Sequence, residues 1–146
     1  MPSSTITFYQ DFKEQLGKGN HHFGTDVLKI AFTNTAPNAA THAVLADITQ
    51  LGTGGGYTGG AGGGLTLDNV TYVESSGTGT LDADTEVFTA SGGNVGPFRY
   101  VVLYNDTLAS PVVDGLIGYY DYGSSITVND GEQFTFTVST NLLTIA

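Results

Sequence analysis

Asp82, Asp84 and Glu86 place three carboxylates at alternate positions, the spacing with which the start of a calcium loop offers oxygen ligands to a hard cation. The central glycine turn and closing glutamate of such a loop are missing, so a solvated acidic strand face is the plainer expectation. His21, His22 and Asp26 form a second cluster with metal-ligand chemistry. Zinc catalysis needs three ligands converging on one ion, and adjacent histidines in a Gly- and Asn-rich turn rarely converge. Asp106, Asp114 and Asp121 lie near Tyr104, Tyr119, Tyr120 and Tyr122 in the sequence. Carboxylates facing each other across a cleft with aromatic platforms would suit glycoside hydrolysis, although aspartates in turns routinely hydrogen-bond the backbone. The run 52–64, with nine glycines around Tyr57, invites comparison with a phosphate loop. It lacks the Lys and Ser/Thr that hold phosphate and Mg²⁺, and Leu65 opens a strand where a helix would be needed. The chain has no Cys and no recognisable Ser–His–acid arrangement. The expectation is therefore a protein that is not an enzyme and carries no cofactor or metal.

Any of these residues would have to be positioned by a scaffold rich in β structure. The chain has 21 Gly, eight Phe and eight Tyr in 146 residues, with Thr and Val abundant, a composition suited to pleated strands joined by tight turns. Phe8, Phe12 and Leu16 recur at helical spacing within 5–16, and Gly17 and Gly19 offer a stop. Residues 5–24 thus read as an N-terminal amphipathic helix and arm. From Asp26 the period changes to two, with Leu28, Ile30 and Phe32 on one side. A turn of helix is expected within 41–50. Leu65 and Leu67 resume strand character, and the slipped phase of Val70 and Tyr72 suggests a bulge near Asp68 and Asn69. Strands follow at 86–90, 98–104, 116–122 and 126–128. Residues 98–104 are apolar on both faces except at Arg99, as in a central strand. The clearest alternation is Phe134, Phe136 and Val138 after the Asn129–Asp130–Gly131 turn, and 142–145 closes the chain. About eight short strands after one helix predict a single mainly-β domain over 1–146, an antiparallel β-sandwich with a jelly roll preferred to an immunoglobulin-like order. The run 52–64 reads as a flexible surface loop in which Tyr57 anchors a partner.

Charge narrows the partners. Only Lys13, Lys18, Lys29 and Arg99 are basic, giving a formal net charge of −10. Nucleic acid is bound through clustered Lys and Arg, and anionic membranes select the same residues, so neither partner is expected. The first residues lack a basic segment leading into an apolar core, which predicts soluble synthesis in the cytosol.

Several segments in order along the chain resemble a group of small virion proteins of tailed bacteriophages. They are Phe-Tyr-Gln-Asp-Phe-Lys-Glu-Gln-Leu at 8–16, Asp-Val-Leu-Lys-Ile-Ala-Phe at 26–32, Ala-Asp-Ile-Thr at 46–49, Gly-Gly-Tyr-Thr-Gly-Gly at 55–60 and Gly-Gly-Leu-Thr-Leu at 63–67. In the second half they are Gly-Pro-Phe-Arg-Tyr-Val-Val-Leu-Tyr-Asn-Asp at 96–106, Ile-Gly-Tyr-Tyr-Asp-Tyr-Gly at 117–123 and the alternating strand 134–138. The resemblance implies a virion structural protein and brings no catalytic residues with it. The preferred placement is a capsid cement or decoration protein on the capsid surface, binding the major capsid protein and assembling as a dimer or trimer. The alternative is a tail or fibre-associated adaptor, or a host-glycan-binding module using Tyr119, Tyr120 and Tyr122 as a stacking platform. Contact is expected through Phe8, Phe12, Leu16 and Tyr57, with packing of the helix on the protein's own sheet as the competing role for its apolar face.

Overall fold

Two-residue alternation becomes strand wherever one face can be buried. Leu28, Ile30 and Phe32 are fully buried in strand β2 (Leu28–Thr33), and Phe134 and Phe136 are buried in β9 (Gln133–Phe136) with exposed residues between them. A computed structural model describes residues 5–138 and 140–146. In chain order the other elements are β1 (Thr7–Phe8), helix α1 (Gln10–Gly17), a 3₁₀ turn (Leu45–Asp47), β3 (Leu65–Thr66), β4 (Thr71–Ser75) and β5 (Thr78–Asp82). They continue with β6 (Glu86–Thr89), β7 (Val95–Asn105), β8 (Gly115–Val128) and β10 (Leu143–Ile145).

Among the described residues the strands form three antiparallel sheets, ordered β1-β8-β7-β2-β3, β10-β5-β4 and β6-β9. The large sheet packs on the pair β6-β9 through rings: Phe32 meets Phe88 and Phe134 edge-on, while Phe98 stacks on Phe32 at 4.3 Å. Tyr120 contacts Phe136, and its hydroxyl donates to the Leu142 carbonyl, tying β8 to the chain entering β10. Edge-to-face and stacked rings add about 0.5–1.5 kcal/mol per pair beyond the area they bury. The chain is thus mainly β, with antiparallel sheets in a sandwich and one short helix. The sheet orders do not establish the connectivity of a jelly roll.

Strand β7 lies in the middle of the large sheet, as its apolar run predicts. Three expectations change. Residues 7–8 pair with β8 at the sheet edge, so the helix starts only at Gln10; Phe8 meets Phe12 across the strand-to-helix junction rather than along one helix. The phase slip near Asp68 and Asn69 is a crossing, not a bulge: β3 belongs to the large sheet, β4 to the three-stranded one, and Asn69 takes a φ of 51° between them. The third change is a hairpin that polar, glycine-containing residues conceal, β4-β5, turned by Ser76 and Gly77 with φ of 53° and 84°. Those two positive angles suit the twist of a two-residue hairpin.

Candidate functional site

The glycine-rich segment is part of the architecture. Strand β3 covers β2 only at Lys29 and Ile30, which leaves the Phe32 backbone on that side without a strand partner. The loop supplies substitutes. The Phe32 N–H donates to the Tyr57 hydroxyl at 3.0 Å, and the Phe32 carbonyl accepts the Leu51 N–H at 2.9 Å. Gln50 Nε2 also donates to the Tyr57 hydroxyl, and the Tyr57 ring stacks on Phe32 and meets Phe88 edge-on. Tyr57 is 1% exposed. Burial pushes its phenol above the ordinary tyrosine range, so it stays neutral. The expected partner anchor is therefore an internal one, and the expected flexible loop is the cap of a sheet edge. Glycine is required here by contact: a Cβ on Gly64, where φ is +90°, would collide with the Ile30 carbonyl.

The same loop is held on its other flank by charge. Lys29 Nζ donates to the Gly62 carbonyl at 2.8 Å and lies 3.4 Å from Asp106 Oδ2. The Gly62 N–H donates to Asp114 Oδ2 at 3.1 Å, and the buried Tyr104 hydroxyl donates to the Gly63 carbonyl. Asp114 is itself buried, and it meets Asp106 around Gly62: the Gly62 N–H is bound by Asp114, and Asp106 Oδ1 lies 3.2 Å from where a Gly62 Cβ would stand. Its carboxyl is pushed above the usual range, mainly by burial.

The other sequence candidates separate in space. Asp121 forms a two-pronged pair with Arg99, at 2.7 and 2.9 Å, away from the Asp106–Asp114 contact. Asp106 and Asp114 are both engaged around Lys29 and Gly62 while Asp121 is tied to Arg99, so this trio does not present the facing pair of carboxyls a glycosidase uses. Tyr120 and Tyr122 touch Phe136 and Phe134, whereas Tyr119 packs against Tyr9 and Tyr100. Strand alternation divides the tyrosines, and they make no common platform. Asp82 ends β5 and Glu86 begins β6 in another sheet, with Asp84 between them accepting from Asn69 Nδ2 at 2.6 Å. They share no strand face. Asn105 Nδ2 donates to both His21 Nδ1, at 3.1 Å, and Asp26 Oδ2, at 2.6 Å, so these two side chains fasten the loop after α1. Among the described residues no group of three His, Asp or Glu is placed to hold a metal ion.

Of the expected contact residues, Phe12 is 2% exposed and packs against Phe8, Phe23 and His21. Phe8 and Leu16 are half-buried against the same core. The apolar face of α1 is occupied by its own fold. Surface apolar groups lie elsewhere: Val73 is 61% exposed on β4, an edge strand whose five residues are all exposed. Val113, 59% exposed, sits at a shallow groove of about 500 Å³ lined also by Leu45, Ile48 and Ala61. Neither is marked in the sequence, because Val73 beside Tyr72 and Val113 beside Val112 sit in short apolar pairs that do not show which member faces solvent.

Neither protein-family models, curated proteins nor solved structures yield a match to this chain. Among the described residues no helix is long and apolar enough to cross a membrane.

Proposed function

We propose that the protein is a virion structural component of a tailed phage, a cement or decoration protein that binds and braces the shell of major capsid protein. The observation that carries this reading is the use to which the polar groups are put. The carboxylates and histidine with the chemistry for a site, Asp26, Asp106, Asp114, Asp121 and His21, are engaged in fastening loops and strands, which suits a scaffold. The resemblance of the ordered segments to phage virion proteins supplies the class.

Charge supports the choice of partner surface. Three of the four basic residues are paired internally, Lys18 with Glu14, Lys29 with Asp106 and Arg99 with Asp121, so the net charge of −10 is presented outward. A basic shell surface is its electrostatic complement. The open edge of β4 offers backbone donors and acceptors beside Val73, a surface suited to docking an extended segment. Assembly as a dimer or trimer on the shell fits the symmetry axes of a capsid.

The test is co-sedimentation of the purified protein with expanded, empty capsid shells. Stoichiometric binding, lost in Val73→Lys while the circular dichroism spectrum stays native, is the expected result. Binding to a glycan array with no binding to shells would overturn the proposal in favour of a tail-associated module.

A further inference from the structure

We propose that Lys29 and Asp106 condense into an intramolecular isopeptide bond, with Asp114 as the carboxyl that relays the protons. The inference is independent of where the protein docks. Lys29 on β2 pairs with Tyr104 on β7, and Asp106 follows that strand, so the two side chains are diagonal neighbours on one face of adjacent antiparallel strands. Their approach is 3.4 Å from Nζ to Oδ2, and the electrophilic Cγ is one bond beyond that oxygen. The amine is aimed by its hydrogen bond to the Gly62 carbonyl, and the glycine loop covers the pair. The Lys29 and Asp106 side chains retain only 18% and 28% exposure.

An ordinary surface ion pair consists of two charges in water. This site adds a third group. Asp114 is 7% exposed, adopts a φ of 51° that side-chain-bearing residues seldom take, and accepts the N–H of Gly62, the residue against which Asp106 Oδ1 also lies. Asp114, whose carboxyl burial pushes above its usual range, is the group placed to carry a proton beside Asp106. A carboxyl carrying that proton is an electrophile, whereas a carboxylate is not.

The step balances without a co-reactant. The Lys29 ammonium gives one proton to the carboxyl pair, and its lone pair attacks Asp106 Cγ. The Nζ–Cγ bond forms as the carbonyl π pair moves to oxygen. Asp114 takes a second proton from the nitrogen and delivers it to the departing hydroxyl. The Cγ–O bond breaks, water leaves, and a neutral amide joins β2 to the end of β7. Nothing is oxidised or reduced. Fixing nucleophile and electrophile in one rigid sheet supplies the effective concentration that amide formation lacks in free solution.

Intact-mass spectrometry of the purified full chain under denaturing conditions decides the matter. The expected mass is one water below that of the sequence. Trypsin should then fail to cut after Lys29 and should yield peptide 19–99 joined to peptide 100–146. The full sequence mass from folded protein would overturn the proposal and leave a simple ion pair. So would a water loss confined to a cyclic imide at Asp114–Gly115 or Asp130–Gly131, since that leaves cleavage at Lys29 intact. Asp114→Asn is expected to fold and keep the full mass; if it still cross-links, Asp114 has no relay role. Should the Asn variant not fold, Asp114→Glu replaces it: slowed bond formation during refolding supports the relay, and an unchanged rate overturns it.

Discussion

His21 carries a pH signature set by its surroundings. Its Nδ1 accepts from Asn105, so the ring hydrogen sits on Nε2, which is buried without a partner. Protonation would put hydrogens on both nitrogens and destroy the acceptor. Burial accordingly lowers the histidine's pKa below its ordinary 6.5, against opposing pulls from Asp26 and Asp11 and with a small push from His22. A group depressed in the folded state takes up more protons on unfolding, so its contribution to stability is present above pH 6.5 and is lost as pH falls through that value towards the folded one. Urea midpoints measured from neutral to mildly acidic pH should fall, and His21→Gln should flatten that slope. A slope unchanged in the variant would mean that other groups cause it. None of this was legible in the sequence. His21 stands beside His22 in a polar turn, and what separates them, the aromatic wall of Phe12 and Phe23 around one and solvent around the other, is tertiary.

The elements were legible in proportion to how much their neighbours repeat. Strands β2, β7 and β9 could be read because alternating or unbroken apolar residues have few other solutions. The start of α1 could not, since Phe8 fits both a helical period and an edge strand, and only pairing with Gly118 decides between them. Strand β5 was hidden because Thr78–Asp82 offers a single large apolar residue, Leu81. The glycine loop was misread for a related reason: a tyrosine among glycines has no pattern, and its burial depends on the Phe32 N–H left open by a strand distant in sequence. The loop's role predicts a graded response. Tyr57→Phe keeps the stacked ring but strips a buried N–H of its acceptor, costing about 1–3 kcal/mol. Tyr57→Ala also removes the ring and should cost about 3–5 kcal/mol. Denaturant titration of both variants measures the difference, and near-native stability in Tyr57→Ala would sink the edge-cap account.

For the whole molecule, what matters is the balance between a tightly tied interior and an acidic exterior. If basic shell surfaces are its partner, attraction acts across solvent and must weaken with salt. The screening length shrinks from about 30 Å at 0.01 M to about 8 Å at 0.15 M ionic strength. Shell binding followed by sedimentation should therefore weaken several-fold over that range, chiefly through slower association, while the Tyr57 and His21 contacts inside the fold are little affected. Binding indifferent to salt would point to a contact dominated by apolar surface, with the groove beside Val113 the first place to look.

A stretch as glycine-rich as 52–64 would ordinarily attract anyone wishing to splice in an epitope or a purification tag. The packing of Gly59 against Leu51 and of Gly64 against Ile30 makes it a keystone instead, and a graft there would unseat the wall it closes. The tip at Ser76 and Gly77 is the better host. It lies exposed at the end of the β4-β5 hairpin, and extra residues there could loop outward without disturbing any buried ring.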